Sequence, residues 1–153
     1  MATLSGYATF EEANGCRYTV HFTGAVTTAK TLIQIKAGAA MPLDLVEVRV
    51  DGQSDTADAM EILILRKTAA ATVTDFTPIE DMEAGPAAAA TGGGGNTTGT
   101  MASGEGTDGD VLARGDASVQ AGGGFFWSRN MGGRKIHVPA AGFIAVKSNI
   151  TIT

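Results

Sequence analysis

The sequence predicts an all-β chain, a jelly-roll-like antiparallel β-sandwich carrying a long Gly/Ala-rich loop or arm. Three observations predict it. Apolar residues recur with period two, as in Val46, Val48 and Val50 against Glu47, Arg49 and Asp51. No stretch shows the 3.6-residue period of an amphipathic helix. Turn signals cut the chain into roughly eight or nine short segments, the pattern of sandwiches and jelly rolls.

The N-terminal segment, residues 3–10, reads as a short strand with Leu4 and Phe10 facing the core. Asn14-Gly15 is a tight-turn dipeptide, since both residues tolerate positive φ. In the next strand Cys16, Tyr18, Val20 and Phe22 point inward, and Arg17, Thr19 and His21 point to water. Residues 31–37 form a third strand, with Ile33 and Ile35 inward and Gln34 and Lys36 outward. Residues 45–66 look like the central hairpin. Their first half alternates, and their second half is apolar on both faces through Ile62, Leu63, Ile64 and Leu65, as expected of a strand covered on both sides. The polar linker between the halves suits a loop joining antiparallel partners.

Residues 69–77 are small and β-branched, a weak strand. Residues 84–109 are low in complexity. They hold nine of the 21 glycines, and their only charges are Glu105 and Asp108. Such a stretch buries too little apolar surface to order itself and reads as a loop or arm inserted in the single domain of residues 1–153. Strands resume over 110–119, 135–138, 143–146 and 149–153. Gly122, Gly123 and Gly124 precede Phe125-Phe126-Trp127, the densest aromatic cluster, and suggest a bulge or close backbone approach.

Composition narrows the function classes. The chain has 153 residues, 44% of them apolar and 18% charged, with a formal net charge of −5. That size suits one domain. Nucleic acid is not expected as a partner, because phosphate contacts need clustered Lys and Arg and the 11 basic residues here are scattered. No apolar run approaches the roughly 20 residues of a membrane-spanning helix, so no membrane partner is expected. The N-terminus has neither a basic nor an apolar leader region, so no signal peptide is expected. Cys16 is the only cysteine, which leaves no intramolecular disulfide.

The motifs point to scaffold, not chemistry. Residues 104–109 match G-x-G-x-x-G, but a dinucleotide site needs that loop between a strand and a helix, and no helix is predicted. Arg114-Gly115-Asp116 is too short to be informative. Asp51, Asp55 and Asp58, and likewise Glu80, Asp81 and Glu83, suit polar turns better than a cation site, because neither set has EF-hand spacing. His21 and His137 have no ligand-spaced neighbour. Asn96-Thr97-Thr98 and Asn149-Ile150-Thr151 are formal glycosylation sequons that need a secretory route. No catalytic residue, cofactor or metal site is predicted, and the protein is read as a non-enzyme. The interface candidates are Asn96, Thr97 and Thr98 in the arm, and Phe125, Phe126 and Trp127, which are assigned to packing with a second role at a subunit interface.

The residues 17–22 (Arg-Tyr-Thr-Val-His-Phe), 25–29 (Ala-Val-Thr-Thr-Ala) and 32–35 (Leu-Ile-Gln-Ile) resemble the opening of a group of small tailed-bacteriophage virion proteins. Gly52-Gln53-Ser54-Asp55, Glu61, Arg66 and Asn96-Thr97-Thr98 stand at matching places. The likeness covers residues 17–67 well and 96–153 loosely. The N-terminal residues 3–12 look instead like the segment that usually ends such proteins. That suggests a last strand moved to the front, beside the strand ending at Thr153, or exchanged between subunits.

The resemblance implies a jelly-roll capsid decoration, or cement, protein. Its expected partners are itself, as a homotrimer, and the phage major capsid protein, and its place is the capsid surface of the virion after synthesis in the host cytoplasm. Two other readings stay open: a tail or baseplate structural protein, and a carbohydrate-binding module using Trp127 with Phe125 or Phe126 as a stacking platform.

Overall fold

The computed structural model describes residues 2–26, 29–53, 59–76, 79–80, 86–94, 104–118, 124–131 and 135–150. These residues form two antiparallel sheets packed face to face, with no helix among them. The first sheet has the order β10 (Phe125–Ser128), β4 (Leu43–Gln53), β1 (Ala2–Glu12), β2 (Arg17–Val26), β7 (Ile79–Glu80). A further strand, β11 (Ile136–Val138), lies on the same edge of β4 as β10. The second sheet has the order β6 (Thr74–Phe76), β8 (Thr91–Gly94), β3 (Lys30–Lys36), β12 (Phe143–Ile150), β5 (Ala59–Ala69), β9 (Thr107–Ser118).

Period-two alternation builds the core. Leu4, Ala8, Phe10, Val20, Phe22, Val48 and Val50 from the first sheet meet Ile33, Ile35, Ile62, Ile64, Ile144 and Val146 from the second. The expected inward set of β2 is in place, with Cys16 half-buried against the same core. Between β1 and β2 the chain turns through Asn14 and Gly15. Gly15 has φ 86°, a conformation that a Cβ disfavours, and the Asn14 side chain accepts a hydrogen bond from the Cys16 amide at 3.0 Å. The register of β1 on β4 shifts between Thr9 and Phe10, leaving Val46 as the extra residue of a bulge. That explains why adjacent Leu45 and Val46 are both buried.

Residues 45–66 are not a hairpin. The strand β4 belongs to the first sheet and β5 to the second, so the two do not pair with each other. Both halves were strands with the right facing, but a short polar linker serves a crossover as well as a turn. Nor do β1 and β12 neighbour each other. They lie in opposite sheets and do not pair, which counts against a first strand placed beside the last. Residues 143–146 and 149–150 belong to one continuous strand, and residues 151–153 lie outside the described residues.

Part of the low-complexity stretch is built into the sandwich. The strand β8 pairs with β3 on one side and β6 on the other. Residues just before it are tied to the sandwich by buried groups. The Glu12 carboxylate accepts hydrogen bonds from the Ala89 and Ala90 amides at 2.9 and 3.0 Å, and the Tyr18 hydroxyl donates to the Pro86 carbonyl at 2.8 Å. Composition missed this because these partners lie about 70 residues away in sequence. Of the described residues in 69–77, Ala69 ends β5 and Thr74–Phe76 form β6.

The two outer faces differ. Behind the second sheet, residues 70–73 and 104–106 form a flap, closed by a bridge between Thr72 and Gly104. The Gln34 side chain donates to the Ala71 carbonyl at 3.2 Å and accepts from the Ala71 amide at 2.8 Å. Gln34, Leu65, Lys67 and Ala145 are thereby buried on the outer face. The doubly apolar β5 has its explanation here: it is covered on both sides. Gln34, expected in water, points outward but under the flap.

Candidate functional site

The open outer face of the first sheet gathers the exposed recognition-type side chains. Strand register puts Phe126 opposite Arg49, Arg49 opposite Tyr7, and Tyr7 opposite His21. One row therefore crosses β10, β4, β1 and β2. All four point outward by the same period-two rule that sends Phe125, Val48, Val50, Ala8, Val20 and Phe22 inward. Phe126 is 47% exposed, His21 and Arg49 are exposed, and Tyr7 is half-buried.

Flanking groups hold the row in place. The Tyr7 hydroxyl donates a hydrogen bond to Glu47, and the Tyr7 and His21 rings lie 6.0 Å apart. The hydrogen bond to the Glu47 carboxylate raises the Tyr7 pKa, because ionising the phenol would set two negative oxygens against each other. Arg49 Nε donates to Asp51 at 2.8 Å, and this partner raises the already high guanidinium pKa. Thr9 and Thr19 hydroxyls meet at 3.0 Å on the neighbouring row. Phenol, imidazole, guanidinium and phenyl on a flat β surface suit stacking and bidentate hydrogen bonding, and hence binding.

The aromatic triplet divides. Phe125 is buried, Trp127 is half-buried and packed against the core, and Phe126 is exposed. Strand alternation forces that split. Gly115 on β9 makes room for Phe125, since a Cβ there would stand 2.8 Å from the ring. Arg114-Gly115-Asp116 is thus a strand segment whose glycine serves packing, with Arg114 paired to Glu61 at 3.6 Å. Asn96, Thr97 and Thr98 lie outside the described residues, as do Asp55, Asp58, Asp81, Glu83, Gly122 and Gly123.

Other candidates find structural places. Asp51 is engaged by Arg49, and no group of three or more His, Cys, Asp or Glu able to hold a metal ion occurs among the described residues. The glycine pattern at 104–109 runs into the strand β9 instead of a helix. His137 Nδ1 lies 2.8 Å from Asp44, which also takes Lys135 at 2.8 Å; together they tie β11 to β4. Burial raises the Asp44 pKa, but the hydrogen bonds from Lys135 and His137 outweigh it and hold the carboxyl below its ordinary value. Asn149 donates to Glu61 at 3.0 Å. Sequence reasoning missed Tyr7 and Arg49 as site residues. Their signal was present in the alternation, but the order of strands was needed to align them.

Comparison with family models, curated proteins and solved structures finds no match to this chain.

Proposed function

We propose that the protein is a non-enzymatic bacteriophage capsid decoration (cement) protein of jelly-roll kinship. It binds the outer capsid surface, as a trimer, and bridges neighbouring major capsid subunits. The single observation that carries a docking role is the uncovered row Phe126, Arg49, Tyr7 and His21 on an otherwise well-packed sandwich. Aromatic and Arg side chains carry much of the energy in protein interfaces, whereas the surrounding Thr and Ser positions add complementarity. The sequence resemblance over residues 17–67 supplies the virion setting. Repeated copies on a symmetric shell gain avidity, so one modest patch per copy is enough. Within the arm, residues 95–103, between β8 and the flap, are the second proposed contact.

The test mixes purified protein with undecorated capsids and images the product by electron microscopy. Added density at symmetry axes, reduced about tenfold in occupancy-derived affinity by Phe126→Ala with Arg49→Ala, is the expected result. Wild-type binding by that double variant would overturn the role of the row. Failure to bind capsids while binding tails would move the protein to the tail or baseplate. Deleting residues 96–103, which spares β8 and Glu105, tests the arm separately, and undiminished affinity would remove it. A carbohydrate-binding reading keeps one supporting feature, the exposed Phe126 ring beside Tyr7 and Arg49; Trp127 packs inward and does not serve it. A glycan array decides that reading.

A further inference from the structure

The geometry points to Lys67 and Asp108 as the two halves of an intramolecular isopeptide bond, with Glu105 as the proton carrier. These residues stand directly opposite each other on β5 and β9, and Lys67 Nζ lies 2.6 Å from Asp108 Oδ1. The lysine side chain is completely shielded from solvent by the flap. Its Nζ is further held by the Glu105 carbonyl at 2.5 Å, with the Glu105 carboxylate 4.0 Å away. That carboxylate is itself oriented by the Thr31 amide and hydroxyl, at 2.9 and 2.7 Å. Lys147 donates to the other oxygen of Asp108 at 2.6 Å. Nothing in the proposed docking role uses this cluster.

Shielding one member of an ion pair is an inefficient way to stabilise a fold, because the desolvation cost offsets the attraction. A shielded amine held against a carboxyl is, however, arranged for condensation. Lys67 Nζ passes a proton to Asp108 Oδ1, which leaves a neutral amine beside a carboxylic acid. The Nζ lone pair attacks Asp108 Cγ, and the new charge collects on Oδ2, where the Lys147 ammonium stabilises it. Glu105 takes a proton from Nζ and delivers it to the departing Oδ1. The Cγ–Oδ1 bond breaks, one water leaves, and an amide joins the strands. One positive and one negative charge disappear together, and no oxidant or cofactor enters.

Two effects compete. Burial raises the Asp108 pKa, but hydrogen bonds from Lys147 and Lys67 outweigh it and hold the carboxyl ionised, so the reactive neutral pair is a minor state. Against this, groups held in contact react with effective concentrations of about 10⁵–10⁸ M. The expected reaction is therefore slow and matures after folding. The bond would fasten the edge strand β9 to β5 and lock the flap.

Intact-mass spectrometry of the folded protein, followed over days at neutral pH, tests it. The expected result is a species lighter by one water, with a branched peptide joining positions 67 and 108 after digestion. Lys67→Arg, whose guanidinium is a poor nucleophile, should stay at full mass. Glu105→Gln can still accept the Thr31 hydrogen bonds and fold, yet should form the bond at least tenfold more slowly. Wild-type protein that remains at full mass and yields linear peptides for both positions overturns the bond. An unchanged rate in Glu105→Gln, with melting showing a native fold, overturns the role of Glu105.

Discussion

The outer face of the first sheet and the outer face of the second carry similar side chains under opposite conditions. On the first, Arg49 and Asp51 form a pair in water, at 53% and 43% side-chain exposure. On the second, Lys67 and Asp108 form a pair whose cation is fully shielded. The first kind of pair contributes little to stability, about 0–1 kcal/mol, because water screens it. The second kind matters because removing Asp108 leaves the Lys67 ammonium under cover without its carboxylate partner. The difference is made by the flap and not by the strands. An open face keeps its aromatic and guanidinium groups available for a partner, whereas a covered face turns polar groups into internal fasteners. Among the described residues no buried side-chain nitrogen or oxygen lacks a hydrogen-bond partner.

Substitutions can break this comparison. Phe125→Ala should have the largest effect, about 3–5 kcal/mol lost in urea unfolding, because it empties a core site where the two sheets close at β9 and β10. Lys67→Met should follow at about 2–3 kcal/mol. It leaves the Glu105 carbonyl without this donor, and Asp108, a third exposed, retains Lys147. A loss below about 0.5 kcal/mol would mean that the flap is not fastened there.

Acid should weaken the covered face next. Asp108 has a depressed pKa in the folded chain, so its pairing stabilises fully above the ordinary value of 3.8 and is lost as pH falls through the lower folded value. Asp44 acts in the same direction. Asp108→Asn should therefore flatten the fall in melting temperature below about pH 4, and an unchanged slope would show that other carboxylates govern it. Any fraction carrying the proposed amide would lack this titration, so mass and melt are measured on one sample. Phe126→Ala, one residue from Phe125, should have the smallest effect, within about 0.5 kcal/mol by the same unfolding assay. A large loss there would mean that the open face is structurally engaged.

Much of the fold was legible in the sequence. The facing of β2 and the buried Ile62 and Ile64 follow from period-two alternation, because a residue's side of a strand is a local property. The doubly apolar β5 even signalled that something covers it. The site was less legible. Phe126 was named with Phe125 and Trp127, and alternation could have separated them. Tyr7 and Arg49 join it only through strand order, since they are 42 residues apart in sequence and directly opposite in the sheet.

By itself, then, the sequence determined that the chain is a two-layer β protein and which residues of each strand are apolar. It did so because alternation and turn chemistry act over a few residues. Tertiary structure decided that β4 and β5 lie in different sheets, that part of a Gly/Ala-rich stretch forms β8, and that Gln34 and Lys67 are sealed while Arg49 and His21 are not. Those outcomes depend on contacts between segments tens of residues apart, such as Gln34 with Ala71 and Lys67 with Asp108. No local pattern encodes them, because a polar residue on a strand looks the same whether water or a flap will lie above it.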